Sequence, residues 1–241
     1  MSLLDLAVQH VKGHAAANST AFSPGTSDIS RNFGIWLIAL GGCILLAALS
    51  FSYVDVPLAD HIAPLSRHIR KSGVGVGSNP VMLAEAGTVL LLAIIRLVFN
   101  RIPSLARTLA LACLCSMLAY AFNSFVLKTA FGVPNPSHVL KGAQHAFHWF
   151  DGTRDDSFPS GHMALSTAFA VIFMTTYPRA VWLISAGLLV IAILLLLGNW
   201  HFLSDLIIGS FVGSSVGLYA ARLRTARHRR QKVEASSLPP S

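Results

Sequence analysis

The sequence has little charge and little cysteine. Asp, Glu, Lys and Arg make up 12% of its 241 residues, about half of the roughly 25% that soluble globular domains carry. Its three cysteines, Cys43, Cys113 and Cys115, all lie in apolar stretches, where free thiols behave as small hydrophobic side chains. The composition therefore excludes a water-soluble domain, and the cysteines predict neither a disulfide framework nor a zinc site.

Hydrophobic residues make up 54% of the chain and are concentrated in six long runs. The hydrocarbon core of a bilayer is about 30 Å thick, a distance that roughly 20 helical residues span. The six runs are residues 34–54, 81–100, 106–127, 161–178, 180–199 and 202–221. The sequence thus predicts an all-α polytopic membrane protein whose six-helix bundle occupies residues 34–221.

The segments that flank this bundle are polar. Residues 1–33 are too polar for a secretory signal peptide, so we expect the first apolar run to be an uncleaved anchor. Within this cytoplasmic or interfacial segment, apolar residues recur at helical spacing between positions 4 and 11, which indicates either a short helix on the membrane surface or a frayed tail. Residues 222–241 are first basic and then Pro-containing, which predicts a disordered cytoplasmic tail.

The net charge is +8, and much of it follows the last apolar run directly. The cations there are Arg222, Arg224, Arg227, Arg229, Arg230 and Lys232. A juxtamembrane cluster of this kind binds anionic headgroups, so we expect membrane lipids rather than nucleic acid as partners. Lys and Arg are retained on the cytoplasmic side, and they are more numerous on the side of the two termini. This predicts a cell (inner) membrane protein with cytoplasmic termini, in which the loops after runs one, three and five face outward.

Two polar segments stand at ends of apolar runs. Lys128 lies where the third run ends, and alone it would be interpreted as a lysine that snorkels to the membrane surface. Pro159, Ser160, Gly161 and His162 directly precede the fourth run. Small residues before a helix expose backbone N–H groups, and the positive end of the helix dipole favours an anion there.

A third polar segment lies between the fifth and sixth runs. His201 and Asp205 are four residues apart, which places them on one face of a helix. The carboxylate can accept one imidazole N–H and leave the other ring nitrogen basic. An ionisable pair that enters a transmembrane helix is costly and is by default a functional hypothesis. The alternative is a His–Asp pair that only packs the bundle.

The charge-derived orientation brings all three segments to the outer membrane face. Together they supply a cation, an anion-binding helix start, an oriented nucleophile or base, and a second histidine as proton donor. The residues concerned are Lys128, Ser160, His162, His201 and Asp205.

The three segments resemble the type 2 phosphatidic acid phosphatase superfamily. The pattern of that family is Lys, six residues, Arg-Pro; then Pro-Ser-Gly-His; then Ser-Arg, five residues, His, three residues, Asp. Residues 159–162 complete the second element, and His201 and Asp205 keep the spacing of the third. The resemblance covers residues 80–221 and departs at two places: Asn135 replaces the first arginine, and Leu194-Leu195 replaces Ser-Arg.

The resemblance implies a lipid-phosphate phosphatase without a cofactor or metal. By this resemblance His201 attacks phosphorus to give a phosphohistidine, Asp205 holds its tautomer, and His162 protonates the leaving group. Lys128, the Ser160 hydroxyl and the N–H groups around Gly161 balance the phosphoryl charge. The catalytic residues are thus His201, His162 and Asp205, and the phosphate-binding set is Lys128, Ser160, Gly161, Asn135 and Arg154. Polyprenyl diphosphate, phosphatidylglycerol phosphate, phosphatidic acid and lipid A phosphates all fit as substrates. A lipid phosphotransferase and a non-catalytic lipid-phosphate binding or transport protein are the alternatives.

The loss of both family arginines bears on phosphate binding. Arginine contacts a phosphate bidentately, and hydrogen bonds to charged groups are worth roughly 1.5–3 kcal/mol each. Arg154, six residues before Ser160, is a candidate substitute cation, and His145 or His148 of the same loop is another candidate. The alternative is an ordinary solvated loop. Glu85, inside the second run, either pairs within the bundle or faces the site.

Overall fold

The computed structural model describes residues 26–71, 78–99, 103–153 and 155–237. The chain divides into two units at a boundary between Gly42 and Cys43, inside the first helix. The regular elements of the described residues are all helices. The predicted surface helix near the N-terminus and the candidate cation Arg154 lie outside the described residues.

The helices are numbered here in chain order. They are α1 (Thr26–Tyr53), α2 (Asp55–Lys71), α3 (Ser78–Phe99), α4 (Ser104–Phe122), α5 (Lys128–Phe131), α6 (Pro136–Val139), α7 (Gly161–Thr176), α8 (Val181–Leu197) and α9 (Leu203–Ser237). A π-helical turn, Asn123–Leu127, joins α4 to α5, and a 3-10 turn, Pro178–Ala180, precedes α8.

Among the described residues, five helical stretches are long and apolar enough to cross a membrane. They are Ser30–Tyr53, Pro80–Phe99, Ser104–Val139, Pro178–Leu197 and Leu203–Gln231. These stretches confirm the predicted all-α polytopic membrane fold. The remaining predicted run forms α7, whose 16 residues extend about 24 Å at 1.5 Å per residue. The count of six spans therefore stays a prediction that depends on this shorter helix.

Helix α7 ends two residues earlier than the apolar run predicts. The residue before a proline is disfavoured in the α conformation, and Tyr177 precedes Pro178 with φ −125° and ψ 74°. The helix therefore stops at Thr176, although the sequence remains apolar.

Helix α7 lies at the centre of the bundle, against α4 and α9. Ala164 and Ala168 are fully buried in a core that includes residues of α4. Glycines of α9 allow its backbone to approach α7 closely: a Cβ at Gly213 would lie 2.2 Å from the Ala164 carbonyl oxygen, and one at Gly209 would lie 2.4 Å from that of Ser160. Small residues at such spacing are a usual device of helix packing in membranes, and here they bring the start of α9 next to the start of α7.

Two helical segments differ from the sequence prediction. Helix α2 lies between the first two spans and was not predicted, because its many charged residues fall outside the apolar runs; an acidic residue at its start and Pro57 two residues later are helix-start signals. Helix α9 continues to Ser237, so residues 222–237 are helical where a disordered tail was predicted. This stretch contains five Arg residues and no Pro, and Arg favours helix.

Candidate active site

Two histidines meet at one end of the bundle. His162 is in the first turn of α7, and His201 lies in the connection between α8 and α9. Nδ1 of His162 is 3.4 Å from Nε2 of His201, and the ring centroids are 5.6 Å apart. The structure thus brings together two predicted site residues that are 39 positions apart in the sequence.

The other nitrogen of His201 is held by two oxygen atoms. Nδ1 lies 3.1 Å from the Ser157 carbonyl oxygen and 3.4 Å from Oδ2 of Asp205. Because a carbonyl can only accept, Nδ1 carries the proton and Nε2 keeps a lone pair. The proton in the contact between the two imidazoles therefore belongs to Nδ1 of His162.

Burial sets the protonation state of His201, whose side chain is 6% exposed. Burial, and secondarily the positive charge of Lys128, lowers the pKa of His201 to about 3, against the opposing effect of the Ser157 carbonyl. The imidazole is therefore neutral at physiological pH, as a nucleophile requires.

The pH dependence of the protein's stability tests whether His201 is neutral. Because the folded-state pKa of His201 lies below the unfolded value of about 6.5, the unfolded chain binds the proton more tightly, and stability falls as pH drops below about 6.5. Above that pH this contribution is absent. We expect the melting temperature of the wild type in detergent to fall faster than that of His201→Gln between about pH 6.5 and pH 5. Parallel profiles for the two proteins would contradict a neutral buried His201.

Asp205 is fully buried and fixes the turn that leads into α9. Its Oδ2 accepts the backbone N–H of Phe202 at 2.8 Å, and its own carbonyl accepts the N–H of Ser160 at 3.0 Å. The predicted His–Asp pair thus also joins the start of α9 to the start of α7.

Ser160 and Gly161 form the start of α7, as their positions predict. The Ser160 hydroxyl oxygen accepts the backbone N–H of Met163 at 3.3 Å, which is an N-cap bond. A Cβ at Gly161 would lie 3.0 Å from the ring of Tyr120. The absence of a side chain at Gly161 therefore lets α4 pack against the helix end.

Lys128 begins α5 and is 8% exposed. The π-helical turn before it is a feature that occurs often at functional sites, and in this turn Asn123 donates a hydrogen bond of 2.8 Å to the Pro159 carbonyl. Lys128 interacts electrostatically with His201 and Asp205. It is therefore a buried cation beside the histidine pair rather than a lysine that snorkels to the surface.

The family model of the PAP2 superfamily matches residues 107–229, half of the chain. This stretch contains the histidine pair, Asp205, Ser160, Gly161 and Lys128. The chain belongs to the PAP2 superfamily. Neither the comparison with curated proteins nor that with solved structures finds a match. Members of the PAP2 superfamily are generally phosphatases that act on phosphorylated substrates, often lipids.

The two positions at which the sequence pattern predicts that family arginines are replaced, Asn135 and Leu195, make contacts of their own. Asn135 caps α6: its Oδ1 accepts the His138 N–H at 3.2 Å, and its Nδ2 donates to the Asp155 carbonyl at 3.3 Å. Leu195 is buried with Met163 and Leu206 in an apolar cluster. Phosphate binding by Asn135 stays a prediction, and Lys128 is a buried cation of the described part of the site.

Three other residues noted in the sequence have the following surroundings. His148 is exposed on the loop between α6 and α7. His145, on the same loop, stacks on Phe51 with 4.0 Å between ring centroids. Glu85 is 8% exposed on α3, and one of its carboxylate oxygens has no hydrogen-bond partner in the described structure.

Sequence reasoning missed two contributors to this end of the bundle. The Ser157 carbonyl is a backbone acceptor, so the residue type at position 157 gives no indication of its role. Asp55, at the start of α2, is 1% exposed and accepts hydrogen bonds from Ser204 of α9. An acidic residue directly after the first apolar run was the available signal.

No group of three or more His, Cys, Asp or Glu side chains in the described residues is arranged to hold a metal ion. The metal independence of the site stays a prediction.

Proposed function

We propose that this protein is a membrane lipid-phosphate phosphatase that works through a phosphohistidine on His201, without a metal ion. The observation that carries the proposal is the environment of that imidazole. Its Nδ1–H is held by the Ser157 carbonyl and Asp205, and its Nε2 lone pair points to His162. A nucleophile and an acid thus lie side by side at the place that a phosphoryl group would enter.

In the first step Nε2 of His201 bonds to phosphorus, and the bond from phosphorus to the lipid oxygen breaks. Protonated His162 gives its Nδ1 proton to that leaving oxygen. Asp205 stabilises the positive charge that the imidazole acquires. Lys128 offsets part of the negative charge on the transferring group, which is where catalysis of phosphoryl transfer mainly resides.

In the second step water attacks the phosphohistidine. Neutral His162 takes a proton from the water, the nitrogen–phosphorus bond breaks, and phosphate leaves. This step returns both histidines to their starting states, so His162 acts as acid and then as base.

The position of the site supports a lipid as the substrate. Three parts of the bundle form the site: Lys128 in the span Ser104–Val139, the end of α8 and the start of α9. A phosphate at these helix ends can contact the histidines while its acyl or prenyl chain stays in the bilayer. We place this end of the bundle at the outer face, on the basis of the distribution of Lys and Arg along the chain.

The test is phosphate release by the purified protein in detergent with a chelator present. The panel comprises polyprenyl diphosphate, phosphatidylglycerol phosphate, phosphatidic acid and a lipid A phosphate. We expect release from at least one of them at undiminished rate in the chelator. Release that requires an added lipid or sugar acceptor would favour the phosphotransferase, and no turnover of any substrate would favour the non-catalytic alternative.

A further inference from the structure

Asp55 is a buried carboxylate that the proposed chemistry does not use. It is the first residue of α2, two positions after α1 ends, and it is 1% exposed. A carboxylate so removed from water is costly unless hydrogen-bond donors surround it. Its partners therefore indicate what it does.

Hydrogen bonds to Asp55 come from two different helices. The Ser50 hydroxyl, near the end of α1, donates to Oδ1 at 2.7 Å. Ser204, in the first turn of α9, donates its backbone N–H to Oδ1 at 3.2 Å and its hydroxyl to Oδ2 at 2.5 Å. The carboxylate thus joins the end of the first span to the start of the last.

The bond from the Ser204 N–H has a defined role in helix α9. The first N–H groups of a helix have no partner within the helix, and a negative charge near them is favourable. Asp205 satisfies the neighbouring Phe202 N–H, and Asp55 satisfies that of Ser204. Two carboxylates therefore hold the turn that contains His201, one from inside α9 and one from α2.

The loop that contains His145 covers this carboxylate. The His145 ring lies between Phe51 and Phe202, with centroid distances of 4.0 and 4.4 Å. Its Nε2 is 3.8 Å from Oδ2 of Asp55. Burial lowers the pKa of His145 and raises that of Asp55. The imidazole is therefore neutral, and it covers the Asp55 carboxylate while stacking on Phe51.

We propose that Asp55 is a positioning residue for the reaction: it holds the first turn of α9 so that Nε2 of His201 stays opposite His162. The inference rests on the proposed phosphatase function. Asp55 acts on His201 through its hydrogen bonds to Ser204, which lies three positions after His201 in the chain. A displacement of about 1 Å in a reacting group can lower a rate about 10²-fold.

The test compares Asp55→Ala with Asp55→Asn and with Asp60→Ala, a control at an exposed carboxylate of the same helix. We expect kcat of Asp55→Ala to fall about 10–100-fold with KM within about 2-fold, because substrate binding does not involve Asp55. The amide of Asn can still accept from Ser204, so Asp55→Asn should recover most of kcat. Asp60→Ala should match the wild type.

A second measurement reports the position of His201 without relying on turnover. In protein with ¹⁵N-labelled histidine, the ring nitrogens of His201, assigned by loss of the signal in His201→Gln, should indicate the Nδ1–H tautomer. We expect Asp55→Ala to give a mixture of tautomers. If the wild type released no phosphate while this spectral change occurred, the phosphatase function would fail and the positioning role would stand.

Unchanged kcat and an unchanged His201 spectrum in folded Asp55→Ala would overturn the proposal. If that variant does not fold, Ser204→Ala takes its place, because it removes the hydroxyl bond to Asp55 and keeps the backbone N–H. We then expect kcat to fall about 3–10-fold at constant KM together with a perturbed His201 spectrum. Wild-type values for both would again overturn it.

Discussion

His201→Ala is expected to lower phosphate release at least about 10³-fold on every lipid phosphate that the wild type hydrolyses. The reason is that the variant lacks the atom that bonds to phosphorus, and loss of a catalytic nucleophile removes most of the rate enhancement. Initial rates in detergent, at substrate concentrations above the wild-type KM, measure the effect. Binding of substrate should change much less, because the phosphate charge is still met by Lys128.

The matched control for this variant is His138→Ala. His138 is exposed on α6 and has no part in the proposed reaction, so the rate of His138→Ala should equal that of the wild type. If His201→Ala retained about a tenth of the wild-type rate or more, His201 could not be the nucleophile, and direct attack by water would be the better mechanism.

His162→Ala is expected to separate the two chemical steps. With a lipid phosphate, whose alcohol is a poor leaving group, we expect a loss of about 10²–10⁴-fold, which is the usual contribution of a general acid. With p-nitrophenyl phosphate the leaving group needs no proton, so the first step should be nearly intact. Water then attacks without its base, and the phosphohistidine should accumulate.

Rapid-quench kinetics with p-nitrophenyl phosphate measure this separation. We expect His162→Ala to give a burst of nitrophenol that approaches one equivalent per site, followed by slow turnover. His148→Ala, at an exposed histidine on the loop between α6 and α7, is the control. Equal losses on both substrates without a burst would contradict the acid–base role of His162.

The membrane architecture could be predicted because the thickness of the bilayer constrains the sequence directly. Apolar runs of about 20 residues are required for each crossing, and five such stretches are present among the described helices. Hydropathy does not report local backbone conformation, and this explains why the early end of α7 before Pro178 was not predicted. It also explains why α2 and the helical residues 222–237 were not predicted.

The histidine site was partly predictable for a different reason. The spacing of His201 and Asp205 predicts that they share one helical face. The structure places His201 in the turn before α9 instead, but its Nδ1 is still 3.4 Å from Oδ2 of Asp205. The contact of His162 with His201 depends on how α7 packs against α9, which the spacing in either segment does not specify. The role of the Ser157 carbonyl was unpredictable, because every residue has a carbonyl group and only the fold selects one.

Asp55 illustrates contacts that lie beyond local pattern. Its partner Ser204 is 149 positions later in the chain, and no spacing rule in the sequence links the two residues. Asn135 and Leu195 are a second example. The sequence pattern predicts that they replace family arginines, but only the structure shows that Asn135 caps α6 and that Leu195 lies in an apolar cluster.

The most direct test of the account is to trap the covalent intermediate on His162→Ala and to locate the phosphate by mass spectrometry under alkaline conditions, where phosphohistidine survives. The account predicts phosphate on His201, and no label when His201→Gln is combined with His162→Ala. Turnover by the wild type without any label on His201, or label on another residue, would contradict it.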